Sequence, residues 1–342
     1  MIINKLIVMK KNNFILFLIL CSCANHNIPD TASPNVQIPP NTSVAFVDLN
    51  GNFYPENWRT EIGQYKRTSS LYLTAKKNNV SEVLVNYETK KLAEYRQNLL
   101  DKKRVFIFVH GYNNDAAKAK RNYNLLRTKI KIDAIKDGVI EFYWDGLVSK
   151  DPIGSGKIWF NATGYSQMAG EFGLRKILNE IHNSDIFIIS HSRGASVVLS
   201  ALSNPPYDPN FRTSTQNLGI VVDNNTPLAE NGNSIVAVML APAVGDIDFK
   251  MADDTNSYRS FSSQLKKVHI TVNRNDPALK KFIGLGNKFN PTTLGFDRSD
   301  YDRLNSKYEF FTFDSFDGQN NHSFDVYLNN PKFQKMVETY IK

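Results

Sequence analysis

The amino-acid sequence predicts an α/β fold with a mostly parallel central sheet flanked by helices. From Arg104 onward, short apolar runs rich in Val, Ile and Phe alternate with longer stretches of helical character. Runs that are apolar throughout are typical of strands covered on both faces of a parallel sheet. The chain has 342 residues and is 42% hydrophobic, which is enough for one large core. The predicted strands are Val105 to Val109, Val139 to Trp144, Ile186 to Ser190, Ile235 to Leu240, Val268 to Asn273 and Tyr308 to Phe313.

Helices are predicted between and after these strands. They are Ala116 to Lys131, Ser166 to His182, Gly194 to Ser203 and Phe324 to Ile341. We expect residues 41–103 to add N-terminal strands or a cap packed on the core, and residues 104–342 to form the main domain. The N-terminal region contains an apolar run from Val44 to Leu49 and a second candidate strand from Leu71 to Leu73. Val80 to Leu100 fits either a helix or a strand.

The charge of the chain argues against a nucleic-acid partner. The formal net charge is +8. Lys and Arg are nevertheless scattered and interleaved with Asp, Glu and Asn, and Lys10 and Lys11 lie in a segment that we expect to be removed. This distribution is typical of a solvated surface and differs from the clustered basic footprint of a nucleic-acid-binding protein.

The N-terminus predicts a secretory signal. Lys10 and Lys11 precede an apolar run from Phe14 to Leu20, which is too short to span a bilayer and suits the apolar region of a signal peptide. The two cysteines of the chain, Cys21 and Cys23, follow that run directly. The rest of the protein therefore has no thiol chemistry.

The sequence around the cysteines resembles a bacterial lipobox, in which the last cysteine is acylated. Cys23 fits better than Cys21, because the small Ser22 precedes Cys23 whereas the bulky Leu20 precedes Cys21. We expect residues 1–23 to be a lipoprotein signal peptide with Cys23 lipidated, and residues 24–40 to be a flexible tether. The protein would then be exported and anchored to a membrane of the bacterial cell envelope. The alternative is a plain signal peptide with incidental cysteines.

A candidate nucleophile lies where a strand gives way to a helix. The apolar run that ends at Ser190 leads into His191-Ser192-Arg193-Gly194 and then into a new apolar stretch. A sharp strand-to-helix turn projects a serine hydroxyl above a sheet and needs small neighbours, as in the pattern G-x-S-x-G. Ser190 occupies the position of the first glycine. Ser192 is therefore the predicted nucleophile, and the alternative is that Ser-x-Gly serves packing alone.

A second loop is a candidate oxyanion hole. The strand that ends at Val109 runs directly into His110-Gly111-Tyr112. A loop after an early strand and the residue after the nucleophile supply the two backbone donors in this kind of site. We therefore predict the amides of Tyr112 and Arg193 as donors. The alternative interpretation is a tight turn that needs Gly111 for its conformation. The two interpretations are compatible, because the same turn can aim the amides at the oxyanion. His110 itself is expected to be structural.

The base and the acid follow from chain order, which is nucleophile, acid, histidine in α/β folds with such a turn. Of the six histidines, only His322 comes after the last predicted strand and in a polar loop. Asp276 follows the strand that ends at Asn273, where its carboxylate can accept the Nδ1 proton of the histidine. Asp246 and Asp248 are rival candidates for the acid. Their alternative role is structural, in a turn or as a helix cap.

Several segments together resemble a bacterial α/β-hydrolase family of unknown function. They are VFIFVHGYNND (Val105 to Asp115), EFYWDG (Glu141 to Gly146), SHSRGA (Ser190 to Ala195), MLAPAVGDID (Met239 to Asp248) and VNRNDPAL (Val272 to Leu279). The likeness covers Arg104 to Lys342, and it departs from the family at Ser190, at Arg193 and in the spacing between Pro242 and Asp246. It implies the α/β-hydrolase fold with esterase-like or lipase-like chemistry, and it supplies no substrate.

The expected function is a serine hydrolase acting on carboxylic esters through Ser192, His322 and Asp276, with a small-molecule or lipid ester as substrate. No metal or cofactor is expected, because ligand spacings such as H-E-x-x-H are absent from the sequence. The alternatives are a non-catalytic, surface-anchored binding module, or an amidase, thioesterase or acetyl-glycan esterase. Three long loops are candidates for a lid or for plain surface: Asp145 to Tyr165, Asn204 to Asn233 and Gly284 to Asp300.

Overall fold

A seven-stranded sheet forms the centre of the computed structural model, and every neighbouring pair of strands is parallel. The spatial order of the strands is β1-β3-β2-β4-β5-β6-β7. The structure describes residues 38–55, 57–63, 70–149, 162–222, 226–251, 253–254, 256–280 and 292–341. This sheet confirms the predicted parallel α/β architecture.

The strands form at the apolar runs of the sequence and are numbered in chain order. They are β1 (Thr42–Val47), β2 (Arg104–Val109), β3 (Asp137–Trp144), β4 (Asp185–His191), β5 (Ser234–Leu240), β6 (Leu265–Val272) and β7 (Phe311–Ser315). The N-terminal strand β1 pairs with β3, so residues 42–47 form one edge of the central sheet. The register of β2, β3 and β4 brings their carboxyl ends to one edge of the sheet.

Helices connect and flank the strands. They are α1 (Trp58–Glu61), α2 (Leu71–Lys77), α3 (Ser81–Leu99), α4 (Ala116–Ile130), α5 (residues 162–178), α6 (Gly194–Leu202), α7 (Pro209–Asn217), α8 (Pro277–Lys280), α9 (Thr293–Phe296), α10 (Arg298–Asn305), α11 (Phe324–Asn329) and α12 (Pro331–Tyr340). Helix α5 contains a π-helical segment at Ala169–Leu174. Each described helix is either too short or too polar to span a membrane.

Both faces of the sheet are covered by helices, which explains the uninterrupted apolar strands. Ile107 packs with residues of α3, α5 and α6 in one core cluster. Its chain neighbours Phe106 and Phe108 point to the opposite face, where they pack with α4, α11 and α12. Successive side chains of a strand alternate between faces, so a strand buried on both sides has to be apolar at every position.

The N-terminal region corrects one prediction and settles another. The candidate strand Leu71 to Leu73 is wrong, because these residues form the first turn of α2. The Ser70 side chain caps this helix by accepting a hydrogen bond from the Leu73 amide. The ambiguous stretch Val80 to Leu100 is the helix α3.

Two C-terminal elements differ from their predicted bounds. The strand predicted from Tyr308 begins at Phe311. The single helix predicted over Phe324 to Ile341 is divided into α11 and α12, because Asn330 caps the second helix and Pro331 occupies its first position. Proline lacks the backbone N–H that donates a hydrogen bond within a continuous helix, but it is well suited to the first turn of a new helix.

Some predictions fall on residues outside the described ranges. The signal peptide, Cys23 and most of the tether lie in residues 1–37. Parts of the candidate lid loops lie in residues 150–161, 223–225 and 281–291. Those predictions remain expectations.

A close crossing of α5 over α6 fixes the helix that follows the candidate nucleophile. A Cβ atom at Gly170 would lie 2.2 Å from the Val197 carbonyl oxygen and 2.8 Å from the Ser200 Cβ. The two helices can approach this closely only because residue 170 has no side chain.

We therefore expect Gly170→Ala to reduce the free energy of unfolding by about 1–3 kcal/mol through overpacking. In an exposed helix, Gly→Ala raises the free energy of unfolding by roughly 0.5–1 kcal/mol. The sign of the change therefore already distinguishes a close crossing at Gly170 from an open position. Urea unfolding measures the difference, with Asn86→Ala on the exposed side of α3 as the control. A Gly170→Ala variant at least as stable as wild type would contradict the close crossing.

Candidate active site

Ser192 lies in the reversal that joins β4 to α6, at the carboxyl edge of the sheet. Its backbone has φ 53°, in the left-handed region that costs a non-glycine residue about 1–2 kcal/mol. The Ser192 amide donates to the Leu240 carbonyl oxygen at 2.9 Å, and its carbonyl oxygen accepts from the Ala243 amide at 3.1 Å. These bonds to the last residue of β5 and to the chain after it hold the strained turn in place.

Two glycines let the backbone pass close to this turn. A Cβ at Gly194 would lie 2.7 Å from the His110 carbonyl oxygen, and a Cβ at Gly111 would lie 2.8 Å from the Ser192 Cβ. The loop after β2 therefore packs directly against the serine. Ser190, which stands in place of a glycine, is fully buried, so a small side chain fits there.

His322 is within hydrogen-bonding distance of Ser192. The Nε2 atom of His322 lies 2.9 Å from the Ser192 Oγ, although 130 residues separate the two positions. Its Nδ1 atom lies 2.7 Å from a carboxylate oxygen of Asp276. Because an ionised carboxylate only accepts, Nδ1 carries the proton and Nε2 is free to accept from the serine hydroxyl. The structure thus brings together the three residues that the sequence predicted.

Asp276 is fully buried and well supplied with donors. Besides His322, it accepts hydrogen bonds from the Tyr327 hydroxyl at 2.7 Å and from the amides of Ala278 and Leu279 at 3.0 and 3.2 Å. Burial acts to raise the pKa of the Asp276 carboxyl, but the hydrogen bond and charge of His322 and the Tyr327 hydroxyl outweigh it. The pKa is therefore lowered from its ordinary value, and the carboxylate stays ionised beside the histidine.

Tyr327 contributes to the site although nothing in the sequence predicts it. Its hydroxyl donates to Asp276 and accepts from the Asn273 side-chain amide at 2.9 Å. It lies on α11, 51 residues from Asp276. The five-residue offset from His322 carries no recognisable signal, so only the packing of α11 against the sheet could reveal this contact.

The rival acids Asp246 and Asp248 have other partners. Asp246 accepts from the Tyr258 hydroxyl at 2.8 Å. Asp248 accepts from the Gly245 amide at 2.9 Å and lies 4.0 Å from the guanidinium of Arg193. Burial raises the pKa of the Asp248 carboxyl despite the nearby Arg193 charge. His322 is bonded to Asp276, so the geometry favours Asp276 over both rivals.

His110 supports the loop after β2. Its Nδ1 donates to the Gly111 carbonyl oxygen at 2.7 Å, so its Nε2 accepts from the Trp144 amide at 3.2 Å. The Trp144 indole donates back to the His110 carbonyl oxygen at 2.8 Å. Burial lowers the pKa of His110 to about 4. The neutral ring ties the loop to β3, as expected of a structural residue.

The predicted oxyanion donors belong to two segments that adjoin Ser192. Arg193 is the N-cap residue of α6, so its amide belongs to the positive end of that helix. Tyr112 follows Gly111 in the loop that touches the serine. The Arg193 side chain is turned inward and fully buried, and burial lowers its pKa to about 10.

A cavity of about 600 Å³ lies away from this constellation. Leu202 and Ser203, at the far end of α6, contribute to its wall, as do Arg175 and Arg259. Both arginines donate to carbonyl oxygens at the C-terminus of α6, which accounts for their positions. Within the described ranges, no cluster of His, Cys, Asp and Glu side chains could hold a metal ion.

We expect Tyr327→Phe to make the protein more sensitive to acid. A carboxyl whose pKa is lowered by folding stabilises the protein above its ordinary pKa of 3.8, and this stabilisation is lost as the pH falls. Loss of the Tyr327 hydroxyl raises the folded-state pKa of Asp276, so acid unfolding begins at a higher pH. The lost bond to a charged group also costs about 1.5–3 kcal/mol at neutral pH.

Circular dichroism during acid titration measures the shift, with Tyr301→Phe as a control for the loss of a hydroxyl. An unchanged midpoint in Tyr327→Phe would show that its hydroxyl does not stabilise the Asp276 carboxylate.

Comparison with known proteins identifies the family. A family model described as alpha/beta hydrolase of unknown function (DUF900) matches residues 88–295. A search of curated protein sequences gives no match. Among solved structures, an acetyl xylan esterase is similar with a TM-score of 0.35 and 10% identity, over 69% of this chain and 96% of that one. An uncharacterized protein from Pseudomonas aeruginosa is similar with a TM-score of 0.33 and 11% identity, over 86% and 52% of the two chains.

The matched segment spans more than half of the chain and contains strands β2 to β6, the turn at Ser192 and Asp276. The protein therefore belongs to the α/β-hydrolase family of unknown function that this model describes.

Proposed function

We propose that this protein is a serine hydrolase that cleaves carboxylic esters through an acyl-enzyme. The observation that carries the proposal is the continuous line of hydrogen bonds from the Ser192 hydroxyl through His322 to the Asp276 carboxylate. A serine hydroxyl is a weak nucleophile at neutral pH unless a base takes its proton as it attacks. A histidine whose other nitrogen is bonded to a carboxylate is such a base.

In the first step, Ser192 Oγ attacks the ester carbonyl carbon while its proton passes to His322 Nε2. The tetrahedral intermediate collapses as the imidazolium returns that proton to the leaving alkoxide, and the acyl group stays on the serine. Water then attacks the acyl-enzyme with His322 again acting as base. The carboxylic acid product leaves, and the serine hydroxyl is restored.

Asp276 and Tyr327 fix the base for these proton transfers. The Asp276 carboxylate holds His322 in the tautomer that leaves Nε2 as an acceptor, and it stabilises the imidazolium that forms. The Tyr327 hydroxyl, on α11, donates to the same oxygen of Asp276 that accepts from His322. This second bond restricts the rotation of the Asp276 carboxylate. Loss of this arrangement in a serine hydrolase costs up to about 10⁴ in turnover.

The amides of Tyr112 and Arg193 are the proposed donors to the developing oxyanion. Support comes from the contact of Gly111 with Ser192 and from the place of Arg193 at the N-terminus of α6. Preorganised backbone donors of this kind contribute about 2.7–4 kcal/mol each to the transition state.

The direct test of the nucleophile is labelling by a fluorophosphonate probe, which reacts with activated serines. We expect wild type to be labelled, and Ser192→Ala to lose both labelling and at least about 10³-fold of its ester hydrolysis. Ser190→Ala is the matched control, because Ser190 is a buried serine of β4, two residues before Ser192. It should be labelled at the rate of wild type.

Absence of labelling in well-folded wild-type protein would favour the alternative of a non-catalytic binding module. Labelling that persists in Ser192→Ala would place the nucleophile elsewhere. Amide, thioester and acetyl-glycan substrates remain alternatives for the bond that is cleaved. A panel of matched esters, amides and thioesters with one acyl group separates them, and we expect the esters to be cleaved fastest.

We also propose that the protein is a lipoprotein of the bacterial cell envelope, anchored through Cys23. The support is the apolar run from Phe14 to Leu20 followed by Ser22 and Cys23. Acylation of the cysteine would hold the domain at a membrane through the intervening residues, which are rich in Asn, Pro, Ser and Thr.

Cys23→Ala should release the protein from the membrane fraction of the expressing cell. Cys21→Ala is the matched control and should remain in that fraction, because Cys21 lacks a small residue before it. Fractionation followed by immunoblotting gives the answer. Equal retention of Cys23→Ala and wild type in the membrane fraction would rule out Cys23 as the anchor.

A further inference from the structure

His191, the residue before the candidate nucleophile, joins the turn at Ser192 to the loop of the candidate base. The residue is 3% exposed. The His191 Nε2 atom lies 2.8 Å from the main-chain carbonyl oxygen of His322. This bond links the two segments through the backbone of His322, independently of the side-chain bond between His322 and Ser192.

Two aromatic contacts hold the His191 ring in place. Phe324 stacks on it with ring centroids 4.8 Å apart and an angle of 11° between the planes. The His322 ring lies 4.9 Å away at an angle of 47°. Phe324 is the second residue of the chain after His322 and begins α11. His191 is thus fixed by residues on both sides of the loop that it binds.

The partner of Nε2 determines the tautomer of His191. A carbonyl oxygen can only accept, so Nε2 carries the proton. Nδ1 has no hydrogen-bond partner among the described residues, and it faces Gly111, where a Cβ would lie 3.3 Å away. A second proton on Nδ1 would be buried without an acceptor. Burial, together with the neighbouring charge of His322, lowers the pKa of His191 well below its ordinary value.

A neutral His191 suits a neighbour that has to become charged. In the proposed mechanism His322 gains a proton at each transfer, and a second imidazolium at this distance would oppose that step by charge repulsion. The single tautomer of His191 keeps its donor on the His322 carbonyl without adding charge next to the base.

We propose that His191 is a positioning residue that holds the main chain of His322 and thereby sets the distance between His322 Nε2 and Ser192 Oγ. The inference rests on the proposed serine hydrolase function and deepens it. His191 touches neither the substrate nor the reacting atoms in this scheme. It acts on the rate only through the placement of His322. An error of about 1 Å in the distance between His322 Nε2 and Ser192 Oγ can lower the rate by about 10²-fold.

Two variants separate positioning from packing. His191→Met has an apolar side chain that can fill the site but lacks the donor. His191→Gln keeps a side-chain amide that can reach the His322 carbonyl. His182→Met is the control, because His182 is exposed at the other end of β4. The readouts are the inactivation rate by a fluorophosphonate, the kcat and KM for a chromogenic short-chain ester, and the thermal unfolding midpoint.

We expect His191→Met to lower kcat and the inactivation rate by about 10- to 100-fold with little change in KM. His191→Gln should recover most of that loss, and His182→Met should match wild type. A His191→Met variant that reacts at the wild-type rate would overturn the proposal. So would a Gln variant that is no faster than the Met variant at equal thermal stability.

Nitrogen NMR of wild-type protein with labelled histidine gives a second test that needs no variant to fold. His191 should be a neutral Nε2–H tautomer across the pH range in which the protein is folded. A neutral Nδ1–H form or a doubly protonated ring would overturn the proposal. If wild type is neither labelled nor active on the ester, the serine hydrolase function fails instead, whatever tautomer is found.

Discussion

The reversal of the chain at Ser192 is the constraint on which the rest of the site depends. A strand that ends at the sheet edge and a helix that returns beneath it can be joined this tightly only with a left-handed residue between them, and Ser192 takes that conformation at φ 53°. The cost of about 1–2 kcal/mol is offset by the bonds of Ser192 to the end of β5 and the residues after it, and by close packing at Gly111 and Gly194. In return, the hydroxyl is held above the sheet at the end of α6.

Three histidines meet around this turn, and each has its proton placed by a different acceptor. The Gly111 carbonyl oxygen accepts a hydrogen bond from the Nδ1–H of His110, and the His322 carbonyl oxygen accepts one from the Nε2–H of His191. The Asp276 carboxylate accepts a hydrogen bond from the Nδ1–H of His322. Burial lowers the pKa of both His110 and His191. The arrangement therefore leaves His322 as the ring whose free nitrogen faces the serine, while the other two hold the loops on either side.

Much of this arrangement could be predicted from the sequence, because its signals are local. The apolar runs predict the strands, the small residues around Ser192 predict the turn, and chain order singles out His322. Its place after a strand favours Asp276 as the acid, but Asp246 and Asp248 are separated from it only by the bond between His322 and Asp276. The bond of Tyr327 to Asp276 could not be predicted, since it joins residues far apart in the chain through the packing of α11. The apolar residues Leu71 to Leu73 predict a strand wrongly, because a short apolar run does not distinguish the period of a helix from that of a strand. In the structure, the Ser70 side chain caps the N-terminus of a helix that begins at Leu71.

A crystal structure of the fluorophosphonate adduct would test the central claim most directly, since the phosphonyl group mimics the tetrahedral intermediate. We predict a covalent bond from Ser192 Oγ to phosphorus, with the phosphonyl oxygen within hydrogen-bonding distance of the Tyr112 and Arg193 amides and His322 Nε2 next to the ester oxygen. A probe attached to another residue, or a phosphonyl oxygen turned away from both amides, would contradict the assignment of this constellation as a hydrolytic site.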